Sequence, residues 1–233
     1  MSYVSKKNKL IFLLPPKVAS TSLQSCLVSS NILCDSIIET PNHPTIHLLL
    51  SETLKAYNIK IDELNQYKII QVTRNPYDRF VSAVYHQNII TKKNYTVSKY
   101  LEELNKYLNL LPDNQDLFYE KFYTITSHKE NNFKKNEWGG LRFWFKQEWW
   151  NDIGADVKYF KLESITKNLE ELSEFMNIKL VNLPHVRPGN SNRNNKYEKY
   201  FDETNRMNFE NLYISDVEKF NYEFYNPVSK ILI

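Results

Sequence analysis

At 233 residues, with 42% hydrophobic and 24% charged side chains, the chain has the composition of a folded domain that can bury a core without disulfide or metal staples. A net charge of +3 suits an anionic small ligand but is too weak to indicate nucleic acid. Four glycines exclude a Gly-rich dinucleotide fingerprint, two cysteines (Cys26 and Cys34) exclude a disulfide framework or zinc cluster, and no stretch reaches the ~18 apolar residues of a membrane span.

In chain order, Met1–Lys9 is a polar lead, and the apolar run Leu10–Leu14 is too short for a signal-peptide core. With so few cysteines, the expectation is a protein of the reducing cytoplasm. Leu10–Leu14 itself reads as a strand buried on both faces, as in a parallel sheet. Pro15-Pro16-Lys17 then forms a short loop into a helix over Val18–Ser29, with Leu23, Cys26 and Leu27 on one face. A second strand is expected at Lys68–Thr73, followed by a helix that Asn75 caps, that Pro76 opens, and whose first turn carries Asp78. Phe80, Val81, Val84 and Tyr85 form its apolar side.

Tyr95–Trp150 is aromatic, charged and mostly helical in pattern. Its end, Trp138–Trp150, gathers all four tryptophans with Arg142, Lys146 and Gln147. Such a segment can stack sugar rings, but a buried aromatic face is the better reading. A third strand is expected at Val157–Leu162, a helix from Ser164 to about Met176, a loop over Pro184–Asn195, and a closing helix over Asp202–Phe220. Alternating strands and helices define the fold class as α/β, an open, central parallel sheet flanked by helices. One domain over residues 1–233 is expected, with a mainly helical, aromatic-rich insert around 95–150. Ligands of such sheets bind at the carboxyl ends of the strands.

Two segments fall at those ends. Pro15–Ser22 (PPKVASTS) sets Lys17, small residues and hydroxyls at a helix N-terminus, where backbone amides and the helix dipole can cradle an anion. It is not a Walker loop, because Lys17 precedes the small residues and no glycines lead into it. In Arg74–Ser82 (RNPYDRFVS), Arg74 just past a strand and Ser82 two turns into the helix suit a phosphate monoester. Taken alone, an ion pair between Arg74 and a local carboxylate such as Asp78 is the better reading.

Together, PKVASTS at Pro16–Ser22 and RNPYDRFVSAVY at Arg74–Tyr85 resemble the sulfotransferases that use 3′-phosphoadenosine-5′-phosphosulfate (PAPS). The wording RNPYDR is most similar to the carbohydrate-type, Golgi-like and bacterial members. Fainter similarities cover His47 with Glu52, Tyr159–Glu163, Leu183–His185 and Leu212–Tyr222. The resemblance implies a P-loop-kinase-like sulfotransferase fold and binding of PAPS, with the bisphosphate PAP as product. Lys17, Val18, Ala19, Ser20, Thr21 and Ser22 would hold the 5′-phosphosulfate, and Arg74 and Ser82 the 3′-phosphate. Arg187, in the polar loop after the last strand, would close over the same phosphate, although its spacing departs from the family's and an ordinary surface loop is the plainer reading.

Sulfuryl transfer needs a general base for the acceptor hydroxyl, and histidine is the natural choice near neutral pH. Five are present: His43, His47, His86, His128 and His185. The resemblance favours His47 as the catalytic base beside Lys17, with His43, Glu39 and Glu52 as alternatives and His86 as structural. No carboxylate pair lies beside the first loop to hold Mg²⁺, so no metal is expected. The expected partners are PAPS and a hydroxyl acceptor, a glycan or glycoside, with no nucleic acid. Two rivals stand beside this reading: an ATP-dependent phosphotransferase on a similar sheet, and a non-catalytic module that binds PAP or a glycan.

Overall fold

Two apolar runs build the centre of a four-stranded sheet. Leu10–Leu13 (β2) and Lys68–Thr73 (β3) run parallel, with Leu10 opposite Lys68 and Leu13 opposite Gln71. Lys158–Lys161 (β4) continues the parallel pairing, Thr73 lying opposite Lys161. On the far side of β2, Ser2–Ser5 (β1) pairs antiparallel, Ser2 opposite Leu13, so the order is β1-β2-β3-β4. The computed structural model describes residues 2–33, 47–92, 94–107, 142–165, 167, 169–181 and 196–224. Contacts divide the chain into two compact units, one of Met1–Arg74, Gln147–Asn192 and Pro227–Ile233, the other of Asn75–Lys146 and Arg193–Asn226.

The first unit contains the sheet. Leu10, Phe12, Ile70, Val72 and Phe160 share a core with Leu23, Cys26 and Leu27 of α1 (Ser20–Ser29) and Leu172 and Met176 of α5 (Leu169–Met176). Alternate residues Ile11, Leu13 and Ile69 are buried as well, which is why these strands read as unbroken apolar runs. Cys26 is a free, buried thiol whose Sγ donates to the Val181 carbonyl at 3.2 Å. Cys34 lies outside the described residues. The short helix α2 (Leu50–Ala56) completes the described α-helices of this unit.

The second unit is helical and aromatic: α3 (Pro76–Thr91), α4 (Val97–Tyr107) and α6 (Glu203–Lys219), with a 3-10 turn at Tyr197–Tyr200. Asn75 caps α3, its side chain accepting from the amides of Tyr77 and Asp78. The Tyr77 ring packs 4.4 Å from Phe209 and 4.9 Å from Phe224, centroid to centroid. Trp144 is fully buried, stacked on Tyr100 at 4.7 Å, and Trp150 of the first unit is equally buried, so both serve packing rather than a sugar platform. Arg79, also buried, donates to the carbonyls of Phe143 (3.2 Å) and Phe145 (2.6 Å) and thereby satisfies a turn.

The Tyr77 hydroxyl donates to Glu210 at 2.6 Å, and Arg206 Nε donates to the same carboxylate oxygen at 2.7 Å. Burial opposes the charge on Glu210, but the Tyr77 hydroxyl and the Arg206 guanidinium outweigh it and hold the carboxyl below its ordinary range. A depressed folded-state value contributes stability above the ordinary carboxylate range, lost as pH falls through the folded value. Glu210→Gln is therefore expected to cost about 0.5–1 kcal/mol at pH 7, a figure discounted for partial exposure. The deficit should vanish in acid, as read by urea unfolding of both proteins across pH.

Three expectations change in detail. The lead is a strand, because pairing with β2 buries all four residues of β1. The edge of the parallel sheet is thus antiparallel. The helix expected from Ser164 is a 3-10 turn, Leu162–Ser164, followed by α5 from Leu169.

Candidate active site

The loop after β2 turns on two left-handed residues, Lys17 (φ 70) and Ala19 (φ 56). Neither is glycine, so the conformation costs about 1–2 kcal/mol per residue. Val18 between them is wholly buried in the sheet core and anchors the loop. Ala19 caps α1 without a side-chain hydrogen bond, and the first turn holds no acidic residue. α1 therefore starts at Ser20 rather than Val18, and its first-turn amides, those of Ser20, Thr21 and Ser22, are ones that no intrahelical carbonyl can reach. An electropositive helix end bordered by small residues is suited to an anion.

Because β2 and β3 are parallel, their carboxyl ends lie side by side. Arg74 follows β3 directly, half-buried, and its Nη1 donates to the Lys17 carbonyl at 2.9 Å. The two motifs that are 57 residues apart in sequence thus touch. Arg74 is also held from behind. Its N–H donates to Gln147 Oε1 and its carbonyl accepts from Gln147 Nε2, both at 2.9 Å. Gln147 is fully buried, and its own carbonyl accepts from Gln71 Nε2 at 2.7 Å. Sequence reading placed Gln147 only within the aromatic segment; nothing local marks it as a partner of Arg74.

His47 reaches the same end of the sheet. It is buried, left-handed (φ 64), and its Nδ1 lies 2.7 Å from the carbonyl of Leu14, the residue after β2. A carbonyl can only accept, so Nδ1 carries a proton. Glu52 spends a carboxylate oxygen on the Leu49 amide at 2.7 Å, which closes the first turn of α2. Ser82 is half-buried on α3 in the second unit, as is His86, whose ring lies against Phe143. Arg187, His43, Glu39, His128 and His185 lie outside the described residues. Among the described residues no group of three or more His, Cys, Asp or Glu is placed to hold a metal ion. No described helix is long and apolar enough to cross a membrane.

Residues 1–223 match the model of the sulfotransferase family. The solved structure of mouse sulfotransferase SULT7A1 complexed with PAP is similar at 14% identity and a TM-score of 0.45, over 98% of this chain and 89% of that one. No curated protein sequence matches the chain. The family match runs across the loop of Lys17, the strand end of Arg74 and nearly all of the chain between and beyond them, and the chain belongs to the sulfotransferase family, the PAPS-dependent enzymes its two motifs resemble.

Proposed function

We propose that this sulfotransferase moves the sulfuryl group of PAPS to a hydroxyl of a carbohydrate, and that residues 1–233 act as one catalytic domain. The observation that carries the reading is the meeting of the two anion motifs, Arg74 Nη1 on the Lys17 carbonyl, at neighbouring strand ends. A donor with a phosphosulfate at one end and a phosphate at the other needs two cationic subsites at a fixed separation. The carbohydrate acceptor is supported by the RNPYDR wording of Arg74–Arg79; Trp144 and Trp150, being buried, add nothing to it.

In this mechanism the amides of Val18–Ser22, with the hydroxyls of Ser20, Thr21 and Ser22, hold the phosphosulfate. Arg74 holds the 3′-phosphate and so fixes the sulfur for in-line attack, with Ser82 and Arg187 assigned to that phosphate on the sequence resemblance alone. His47 Nε2 takes the proton of the acceptor hydroxyl as its oxygen bonds to sulfur. The bond from sulfur to the bridging oxygen breaks, its electron pair leaves with PAP, and Lys17 stabilises that negative charge. No residue in this scheme requires a metal.

The test is ligand-induced thermal stabilisation with PAP, 5′-AMP and Mg-ATP, followed by transfer of labelled sulfate from PAPS to a panel of sugars. PAP at a hundredfold excess over its Kd should add about 2.7 kcal/mol of stability, with 5′-AMP adding far less. Stabilisation by Mg-ATP and none by PAP would favour a phosphotransferase instead. PAP binding without transfer to any hydroxyl would make the chain a binding module.

A further inference from the structure

β3 ends at Thr73, so the next residue leaves the strand ladder with its own N–H and carbonyl still to be satisfied. Gln147 supplies both partners from one side chain, 73 residues away, and extends the ladder by one residue. A primary amide offers an acceptor and a donor side by side. Asparagine is one methylene shorter, whereas Gln147 is itself fixed, buried in the 3-10 turn Gln147–Trp150 with its carbonyl on Gln71 Nε2. The backbone of Arg74 is thereby clamped on both polar groups, and its guanidinium leaves a fixed point to reach the Lys17 carbonyl.

We infer that Gln147 is a positioning residue for the donor site, presetting Arg74 for the 3′-phosphate while touching no part of the nucleotide itself. The inference rests on the reading of Arg74 as the 3′-phosphate ligand. Preorganisation of this kind reduces the ordering cost of binding, and it acts only on the group that Arg74 meets. A residue that merely supported the fold would weaken PAP and 5′-AMP, which differ only in the 3′-phosphate, to the same extent.

The experiment measures Kd for PAP and for 5′-AMP by calorimetry in wild type, Arg74→Ala, Gln147→Met and Gln147→Glu. Gln147→Met is expected to weaken PAP about tenfold and 5′-AMP less than threefold, so that the preference for PAP shrinks. Gln147→Glu should match Gln147→Met at pH 8, where its carboxylate faces the Arg74 carbonyl. It should recover toward wild type at pH 5.5, each compared with wild type at the same pH, because a protonated carboxyl again offers one acceptor and one donor. An unchanged preference for PAP in Gln147→Met overturns the inference and leaves the role of Arg74 intact. Equal loss of both ligands, or failure of both Gln147 variants to fold, makes Gln147 a folding residue and also overturns it. A wild type that does not distinguish PAP from 5′-AMP, or an Arg74→Ala variant that still does, removes the Arg74 reading on which the inference stands.

Discussion

His47→Asn is expected to lower the rate of sulfuryl transfer about 10²–10⁴-fold, the usual contribution of a positioned general base, while PAP affinity and folding stability stay near wild type. Asparagine isolates the chemistry from the fold. His47 has a left-handed backbone, which asparagine tolerates, and an Nδ1–H donated to the Leu14 carbonyl, which an asparagine amide N–H can replace. His47→Ala would mix the two effects, because it removes a hydrogen bond to that buried carbonyl at a cost of about 0.5–1.5 kcal/mol. Single-turnover transfer of labelled sulfate, run beside a PAP titration, separates the steps. Full transfer by His47→Asn would remove His47 as the base and move attention to His43, Glu39 and Glu52.

Arg74→Ala is expected to weaken PAP by about a hundredfold, close to 3 kcal/mol, the scale of a pair of charge-assisted hydrogen bonds. Binding of 5′-AMP should hardly change. The ligand-free protein should lose less than about 1 kcal/mol, because the Lys17 carbonyl that Arg74 now satisfies belongs to a half-buried residue and can accept from water instead. Arg74→Lys keeps the charge but not the planar fork and should fall between the two. Thermal shifts with each nucleotide decide the matter. An Arg74→Ala variant stabilised by PAP as well as wild type is would place the 3′-phosphate elsewhere.

Both predictions begin from residues that could be read in the sequence, but what makes each testable comes from the folded chain. Lys17 and Arg74 were legible because each sits in a motif written in a few adjacent residues. That His47 donates from Nδ1 to Leu14, that Lys17 and Ala19 are left-handed, and that Arg79 serves the Phe143 and Phe145 carbonyls, were not. Nor was the hydrogen bond that the Glu52 carboxylate accepts from the Leu49 amide.

β2, β3 and β4, the Asn75 cap of α3 and the closing helix α6 can be read from the chain before it folds. Continuous apolar runs, an Asn-Pro cap and helical periodicity are local signals, carried within one element and read without its neighbours. The strand character of the polar segment Ser2–Ser5 emerges on folding, since its burial exists only once β2 is beside it. The same holds for Gln147, which has no local mark and becomes part of the site by hydrogen bonds to a residue 73 positions away. An edge strand and a clamp of this kind are defined by their partners, and partners distant in the chain leave no periodicity for a sequence to show.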